Sequence, residues 1–288
     1  LSDWNDPAEL AAGRDRLLAI LAGYGRTAVA FSGGIDSTVV AQAAQMALGD
    51  RAVAVTGVSD SLASGELDEA RALARRMGIR HEVIATHEFS DPEYLRNAPD
   101  RCYHCKTELY SRLVAMRDEL DVDVIASGAN MDDLGDYRPG LQAAAEHAIR
   151  HPLQEAGLGK DAIRALARAW GLPTWAKPAS PCLSSRIAYG EEVTPERVHM
   201  IDAAEQWLES RGLKLLRVRY HKGDLARIEV PVEELARLAS DSVRHELVPA
   251  FRALGFKFVT LDLEGFRSGS LNTLVPVGDL VAIGGAVK

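Results

Sequence analysis

Short apolar runs alternate with amphipathic stretches through the first two thirds of the chain. Thr27-Ala28-Val29-Ala30, Arg51 to Val58, His81 to Ala85 and Asp123 to Ala126 are the apolar runs. Among these runs, the continuous apolar character of Arg51 to Val58 suits a strand covered on both faces. Between them, apolar residues recur three or four apart: Leu10, Leu17, Leu18 and Leu21; Ala70, Leu73, Ala74 and Met77; Leu109, Leu113 and Met116; Ile163, Leu166, Ala167 and Trp170. This spacing predicts helices over 7–23, 64–77, about 104–118 and 160–170. A further helix follows the first strand and stops at Gly49. Strands alternating with helices predict a parallel, doubly wound α/β sheet. The pattern changes after Gly190. A helix from Thr194 to Arg211, strands over 213–220 and 225–230, helices at 232–239 and 241–254, and a strand over 256–262 predict a smaller α+β domain. The expected division is 1–188 and 189–288. Beyond Thr273 the chain is apolar and glycine-rich.

Where the apolar pattern breaks, the chemistry begins. Phe31-Ser32-Gly33-Gly34-Ile35-Asp36-Ser37-Thr38 joins the first strand to a helix. Two glycines let the backbone turn sharply and approach a ligand. The N–H groups of such a loop and helix start converge on one place, which suits phosphate. Ser32, Ser37 and Thr38 offer hydroxyls. Asp36 beside phosphate makes sense with a cation such as Mg²⁺. An isolated Gly-Gly pair would be an ordinary strand–turn–helix corner, but the whole S-G-G-I-D-S string in this setting resembles the PP-loop of the ATP pyrophosphatases. It is neither a Walker A loop nor a dinucleotide fingerprint. In parallel sheets ligands sit at the carboxyl ends of the strands. Thr56 to Ser59, with Gly57, is then a backbone platform for adenine. Ser127 to Gly140, with Gly128, Asn130, Asp132 and Asp133, is a second wall of the ATP site.

The 288 residues are 47% hydrophobic and 26% charged, with a net charge of −8. This is the balance of a soluble globular protein. The acidity argues against a broad nucleic-acid-binding surface while allowing a local basic pocket. No apolar run reaches the length of a membrane span and no signal-peptide pattern is present, so a cytoplasmic protein is expected.

Three cysteines are too few for a disulfide framework. Cys102 and Cys105 form C-x-x-C, and Cys182 lies in a stiff segment with Pro173, Pro178 and Pro181. The set suits an iron–sulfur cubane with one iron lacking a protein ligand; free thiols, or a zinc site completed by His104, are the other readings. Cys182 near Lys177 and Arg186 would also be a competent nucleophile. Arg186, Arg217, Arg219 and Arg267, with an anion nest around Ser268, suggest a pocket for a phosphorylated substrate.

In this order, the S-G-G-I-D-S loop, R-C-Y-H-C-K, G-A-N-x-D-D-x-x-D-Y-R-P-G, P-C-L-S-S-R-I and E-G-F-R-S-G-S-L-N resemble the LarE family. These are ATP-dependent sulfur transferases of nickel-pincer nucleotide synthesis. The resemblance covers nearly the whole chain. It implies pyridinium-3,5-biscarboxylic acid mononucleotide as substrate and a thiocarboxylate as product. It implies Mg²⁺–ATP on Ser32–Ser37, adenylation of the substrate carboxylate, and attack by sulfur, with Asp36, Cys182 and Arg186 as catalytic residues. In family members with one cysteine at this place, Cys182 would sacrifice its own sulfur. The extra Cys102 and Cys105 resemble the three-cysteine variants, in which a 4Fe-4S cluster carries a labile sulfide. The resemblance also implies a sulfide source as partner and a homo-oligomer built on trimers, possibly a hexamer. A tRNA thiolase is the main rival, since it can share the PP-loop, C-x-x-C and a third cysteine.

Overall fold

The computed structural model describes residues 4, 6–135, 139–178 and 180–267. In chain order the first elements are α1 (Pro7–Tyr24), β1 (Thr27–Ala30), α2 (Ile35–Leu48), β2 (Ala52–Val58), α3 (Glu66–Met77) and β3 (Arg80–Ala85). A one-turn α4 (Pro92–Leu95) precedes α5 (Arg101–Ala115), the one-turn α6 (Arg117–Leu120) and β4 (Val124–Ala126). Then come α7 (Pro139–Glu146), the one-turn α8 (Pro152–Glu155) and α9 (Lys160–Ala169). The chain continues through α10 (Pro195–Glu209), β5 (Arg217–His221), β6 (Leu225–Glu229), α11 (Val232–Ala239), α12 (Asp241–Ala253) and β7 (Phe258–Leu261).

These elements form two compact units. The first runs to Ser59 and takes in Ser64–Glu88 and Cys102–Ser180; the second holds Asp60–Ala63, Phe89–Arg101 and the chain from Pro181 on. Two short segments from the first half thus belong with the C-terminal half, an interleaving that no linear change of composition announces.

In the first unit, four strands lie in the order β3-β2-β1-β4, each pair parallel. Alternate residues of β1 supply two cores: Val29 packs with α1, α2, α3 and α9, while Ala28 packs with α5 and α7. This is the doubly wound α/β arrangement the apolar runs predict. Local signals fix the helix ends. Pro7 sits in the first turn of α1, and the Asp6 carboxylate accepts from Ala8 N at 2.9 Å. Gly78 ends α3 in the left-handed region at φ 69°, where a Cβ is penalised. Leu17 and Leu21 of α1 are fully buried, each stabilising by roughly 1.5–3 kcal/mol.

The chain goes from β1 to β2 and β3 on one side, and places β4 on the other. The strand order therefore reverses at β1. Ligands of open α/β sheets bind at such a switch point, outside the carboxyl ends of the strands. The loops after β1 and β4 are the ones that meet there.

The second unit has a sheet in the order β5-β6-β7, with β5 and β6 antiparallel and β6 and β7 parallel. Gly223 and Asp224, at φ 81° and 59°, make the β5–β6 turn. Three details depart from the sequence pattern. The helix expected over 104–118 begins at Arg101 and breaks at Met116, which moves both cysteines into its first turns. The strand expected from 213 starts at Arg217, because Leu213 and Leu216 are both buried three residues apart, off the two-residue period of a strand. Helix α7 lies mostly in a stretch, after Gly140, to which the sequence pattern assigned no element.

Candidate functional site

At the end of β1, Gly33 adopts φ 71°, a conformation that glycine alone takes without strain. Gly34 is the N-cap of α2, and no side chain caps that helix. The N–H groups of Ile35, Asp36 and Ser37 are the donors that a first helical turn leaves without intrahelical partners. The hydroxyls of Ser37 and Thr38 turn inward. They donate to the Gly34 carbonyl at 3.0 and 2.8 Å, while Ser32 N donates to Ser37 Oγ at 3.2 Å. Ser37 and Thr38 thus shape the loop, and the backbone presents the donors.

The loop after β4 presses against this one. A Cβ added to Gly128 would lie 2.8 Å from Ser37 N and 3.0 Å from Asp36 C. Only glycine permits that approach. The same loop carries Asn130, whose Nδ2 donates to Asp36 Oδ1 at 3.4 Å. Asn130 is itself fixed: its N–H donates to Asp133 Oδ2 at 2.9 Å, and its Oδ1 accepts from Asp132 N at 3.0 Å. Asp132 Oδ2 in turn accepts from Lys160 N at 2.6 Å, and Lys160 Nζ reaches Asp36 Oδ2 at 2.5 Å. Asp36, Asn130, Asp132 and Lys160 form one chain of hydrogen bonds around the phosphate loop. Its hard oxygen donors fit a Mg²⁺ ion, and Asp36 already holds a cationic group. Asp136 to Arg138 of this motif lie outside the described residues.

Gly57 stands at the carboxyl end of β2. A Cβ there would meet Leu109 Cδ1 at 2.9 Å and Thr86 Cγ2 at 3.1 Å, so the strand end is closely covered by α5. Behind it, Thr56 Oγ1 donates to the Phe31 carbonyl and contacts His81 Nε2, both at 2.8 Å. A hydroxyl has one proton, so His81 Nε2 must donate to it. Burial pushes the His81 pKa down, keeping the ring neutral.

The proline-rich segment is tied at both ends. Within the first unit, Lys177 Nζ meets Glu69 Oε2 and Ser180 Oγ donates to Glu66 Oε1, both at 2.7 Å. Within the second, Cys182 opens a short turn over Leu183–Arg186. Arg186 is 2% exposed. Its Nε and Nη2 grip the two oxygens of Glu205 at 3.2 Å each, and its Nη1 donates to the carbonyls of Pro181 and Cys182. Arg219 is likewise buried and held by Glu229, while its Nη1 donates to Ser185 O at 3.2 Å. Glu229 also accepts from Arg227 at 2.9 Å. Arg186 and Arg219 therefore act from below the Cys182 loop, on its backbone.

Arg217 is half-buried and lies 5.4 Å from the Phe266 ring centroid. Burial, then the charge of Arg186, lowers its pKa. Arg267 is 44% exposed and pairs with Glu264 at 2.5 Å. Ser268 lies outside the described residues. Cys102 and Cys105 are three apart on one face of α5. None of the three cysteines is in a disulfide; Cys102 and Cys182 are exposed and Cys105 is half-buried. Among the described residues, no three His, Cys, Asp or Glu side chains are grouped so as to hold a metal ion. Three thiols fit an iron–sulfur cluster in chemical kind.

A family model described as NAD synthase matches residues 21–95, the span that carries the phosphate loop. The chain is 40% identical over 268 residues to the pyridinium-3,5-bisthiocarboxylic acid mononucleotide synthase of Lactiplantibacillus plantarum, covering 92% of this chain and 95% of that protein. The chain belongs to the LarE family. It is an ATP-dependent sulfurtransferase of the PP-loop type. An uncharacterized protein of Synechocystis is 46% identical over 250 residues, covering 87% of this chain and 93% of its own. The tRNA-specific 2-thiouridylase MnmA of Azorhizobium caulinodans is 30% identical over 194 residues, only 54% of this chain and 49% of that protein.

Four residues of this LarE-family chain escape a reading of its sequence. Lys160 looks like an ordinary helix start, yet it meets Asp36 across 124 positions. Asn97, buried at φ 55°, donates from Nδ2 to the carbonyls of Ile187, Ala188 and Glu191. Arg101 donates to Ser184 O at 2.8 Å, and Tyr94 Oη meets Ser184 Oγ at 2.6 Å. The stretch 94–101, unremarkable and polar in sequence, is thus a clasp on the segment that follows Cys182. Charged or amide residues in a region rich in proline were the one available signal.

Proposed function

We propose that this chain adenylates a carboxylate of pyridinium-3,5-biscarboxylic acid mononucleotide with ATP and converts it to the thiocarboxylate. The observation that carries the reading is the Gly128 contact, which joins the phosphate loop to the Asn130–Asp132 wall at the sheet's switch point. The N–H groups of residues 35–37 bind the leaving pyrophosphate, and Asp36 holds Mg²⁺, which when bound neutralises phosphate charge. A carboxylate oxygen attacks the α-phosphorus, the α–β bridging bond breaks, and pyrophosphate departs with the bonding electrons. The acyl-adenylate then accepts hydrosulfide at its carbonyl carbon, losing AMP and one proton. Gly57 supports the adenine platform from the end of β2.

Cys102, Cys105 and Cys182 would hold a 4Fe-4S cluster, which when bound supplies the sulfide. None of the three is in a disulfide, and Cys102 and Cys182 are exposed, which supports this reading. Arg186 is a positioning residue: it sets the backbone of Pro181 and Cys182 through two carbonyls. Arg217 and Arg267 meet the substrate phosphate together with Ser268, while Arg219 stiffens the strand from within. Thiol chemistry of this kind suits a reducing, cytoplasmic setting, and a homo-oligomer built on trimers goes with the same reading.

The test is anaerobic reconstitution with iron and sulfide, followed by turnover with ATP and the dicarboxylate mononucleotide. The expected result is bound iron, pyrophosphate release, and thiocarboxylate formed more than once per chain. Activity without iron, together with a mass loss of about 34 Da at Cys182, would assign the sulfur to the cysteine itself. Absence of substrate-dependent pyrophosphate release would overturn the adenylation.

A further inference from the structure

Asp36 lies in the first turn of α2, among the phosphate-binding N–H groups, and each of its oxygens already has a partner. Oδ1 accepts from Asn130 Nδ2 at 3.4 Å, and Oδ2 holds the ammonium of Lys160 at 2.5 Å. The Lys160 backbone is pinned separately, by Asp132 at 2.6 Å. Its side chain is 42% exposed, a flexible stem with a compact charge that can leave without unfolding α9. A metal ion at Asp36 and an ammonium on the same oxygen would repel each other at contact distance.

We propose that Lys160 is the placeholder cation of this site. In the nucleotide-free protein its ammonium neutralises Asp36. When a divalent cation arrives with the nucleotide, the ammonium gives up Oδ2 and swings about its anchored backbone onto the phosphates. The exchange makes metal and polyphosphate binding cooperative: metal alone must displace a lysine that has nowhere better to go, whereas metal with polyphosphate provides that lysine with a new partner. The inference rests on the ATP reading of the phosphate loop, but its test requires no turnover.

The probes are Mn²⁺ alone and inorganic pyrophosphate, with Mn²⁺ occupancy read by electron paramagnetic resonance. Lys160→Met should bind Mn²⁺ about tenfold more tightly than the wild-type chain in the absence of pyrophosphate. Asp36→Asn should abolish that binding. At saturating Mn²⁺, Lys160→Met should bind pyrophosphate about tenfold more weakly than wild type. Unchanged Mn²⁺ affinity in the folded variant, or pyrophosphate bound as tightly as by wild type, overturns the proposal and leaves Lys160 a structural bridge. Should Lys160→Met fail to fold, Lys160→Gln makes the same test. A failure of the adenylation reading would show separately, as absent pyrophosphate release from ATP by the wild-type chain.

Discussion

The phosphate loop of the first unit and the Cys182 segment of the second solve opposite problems. The loop at 32–37 is shaped by its own hydroxyls and by the absence of side chains at Gly33, Gly34 and Gly128, so that backbone donors stay available. The Cys182 segment is fixed by buried ion pairs. Arg186–Glu205 and Arg219–Glu229 hold it by its carbonyls, and Glu229 is fully buried. One region reserves its polar groups for a ligand; the other commits them to scaffolding. A carboxylate or guanidinium in a site-bearing segment is therefore no measure of its chemical role until its partners are known.

The largest effect should come from the committed side. Arg186→Ala leaves Glu205 buried without its partner, which costs about 3–5 kcal/mol. Urea unfolding followed by fluorescence should show it, and Arg186→Lys should restore little, since a lysine cannot span both oxygens of Glu205. Near-native stability in Arg186→Ala would erase the contrast between the two regions. On the open side, Gly128→Ala places a Cβ against the backbone of Asp36 and Ser37, where neither can yield cheaply. The expected outcome is a loss of about 100-fold in ATP-dependent pyrophosphate release, with a stability cost of only about 1–3 kcal/mol. Activity within a few-fold of wild type would mean the two loops need not touch.

The smallest effect is shared. Burial lowers the pKa of His81 and His151 in the first unit and of His221 in the second. Their folded forms bind protons less readily than an unfolded histidine does at about pH 6.5. Their contribution is therefore fully present above that value and is lost as the pH falls below it, towards the depressed folded pKa values. The unfolding midpoint should drop between pH 7 and pH 5.5, and His81→Gln should flatten the slope.

How much of this was legible beforehand follows the range of the interactions. The four parallel strands, the glycine loop and the α+β half are written in local periodicity and in Gly-Gly and Thr-Pro signals, and the structure places them accordingly. Gly128 was legible as part of a second wall, though not as the contact that seals it. Lys160 was invisible because its partner is 124 positions away, on another loop. Arg186 and Arg219 were legible as basic residues, but their burial depends on Glu205 and Glu229, supplied by α10 and β6. Asn97 and Arg101 reach their acceptors only because residues 89–101 belong to the second unit. Topology, which sets long-range partners, carries little local trace.

One consequence follows from how Arg186 holds the Cys182 loop. Its acceptors in that loop are the carbonyls of Pro181 and Cys182 and the Ser185 hydroxyl, and none of its bonds involves the thiol. The pedestal is indifferent to what it carries. A molecule whose Cys182 thiol has been replaced or oxidised should keep the same loop and the same fold. Loss of the thiol is therefore expected to cost chemistry and to leave stability unchanged.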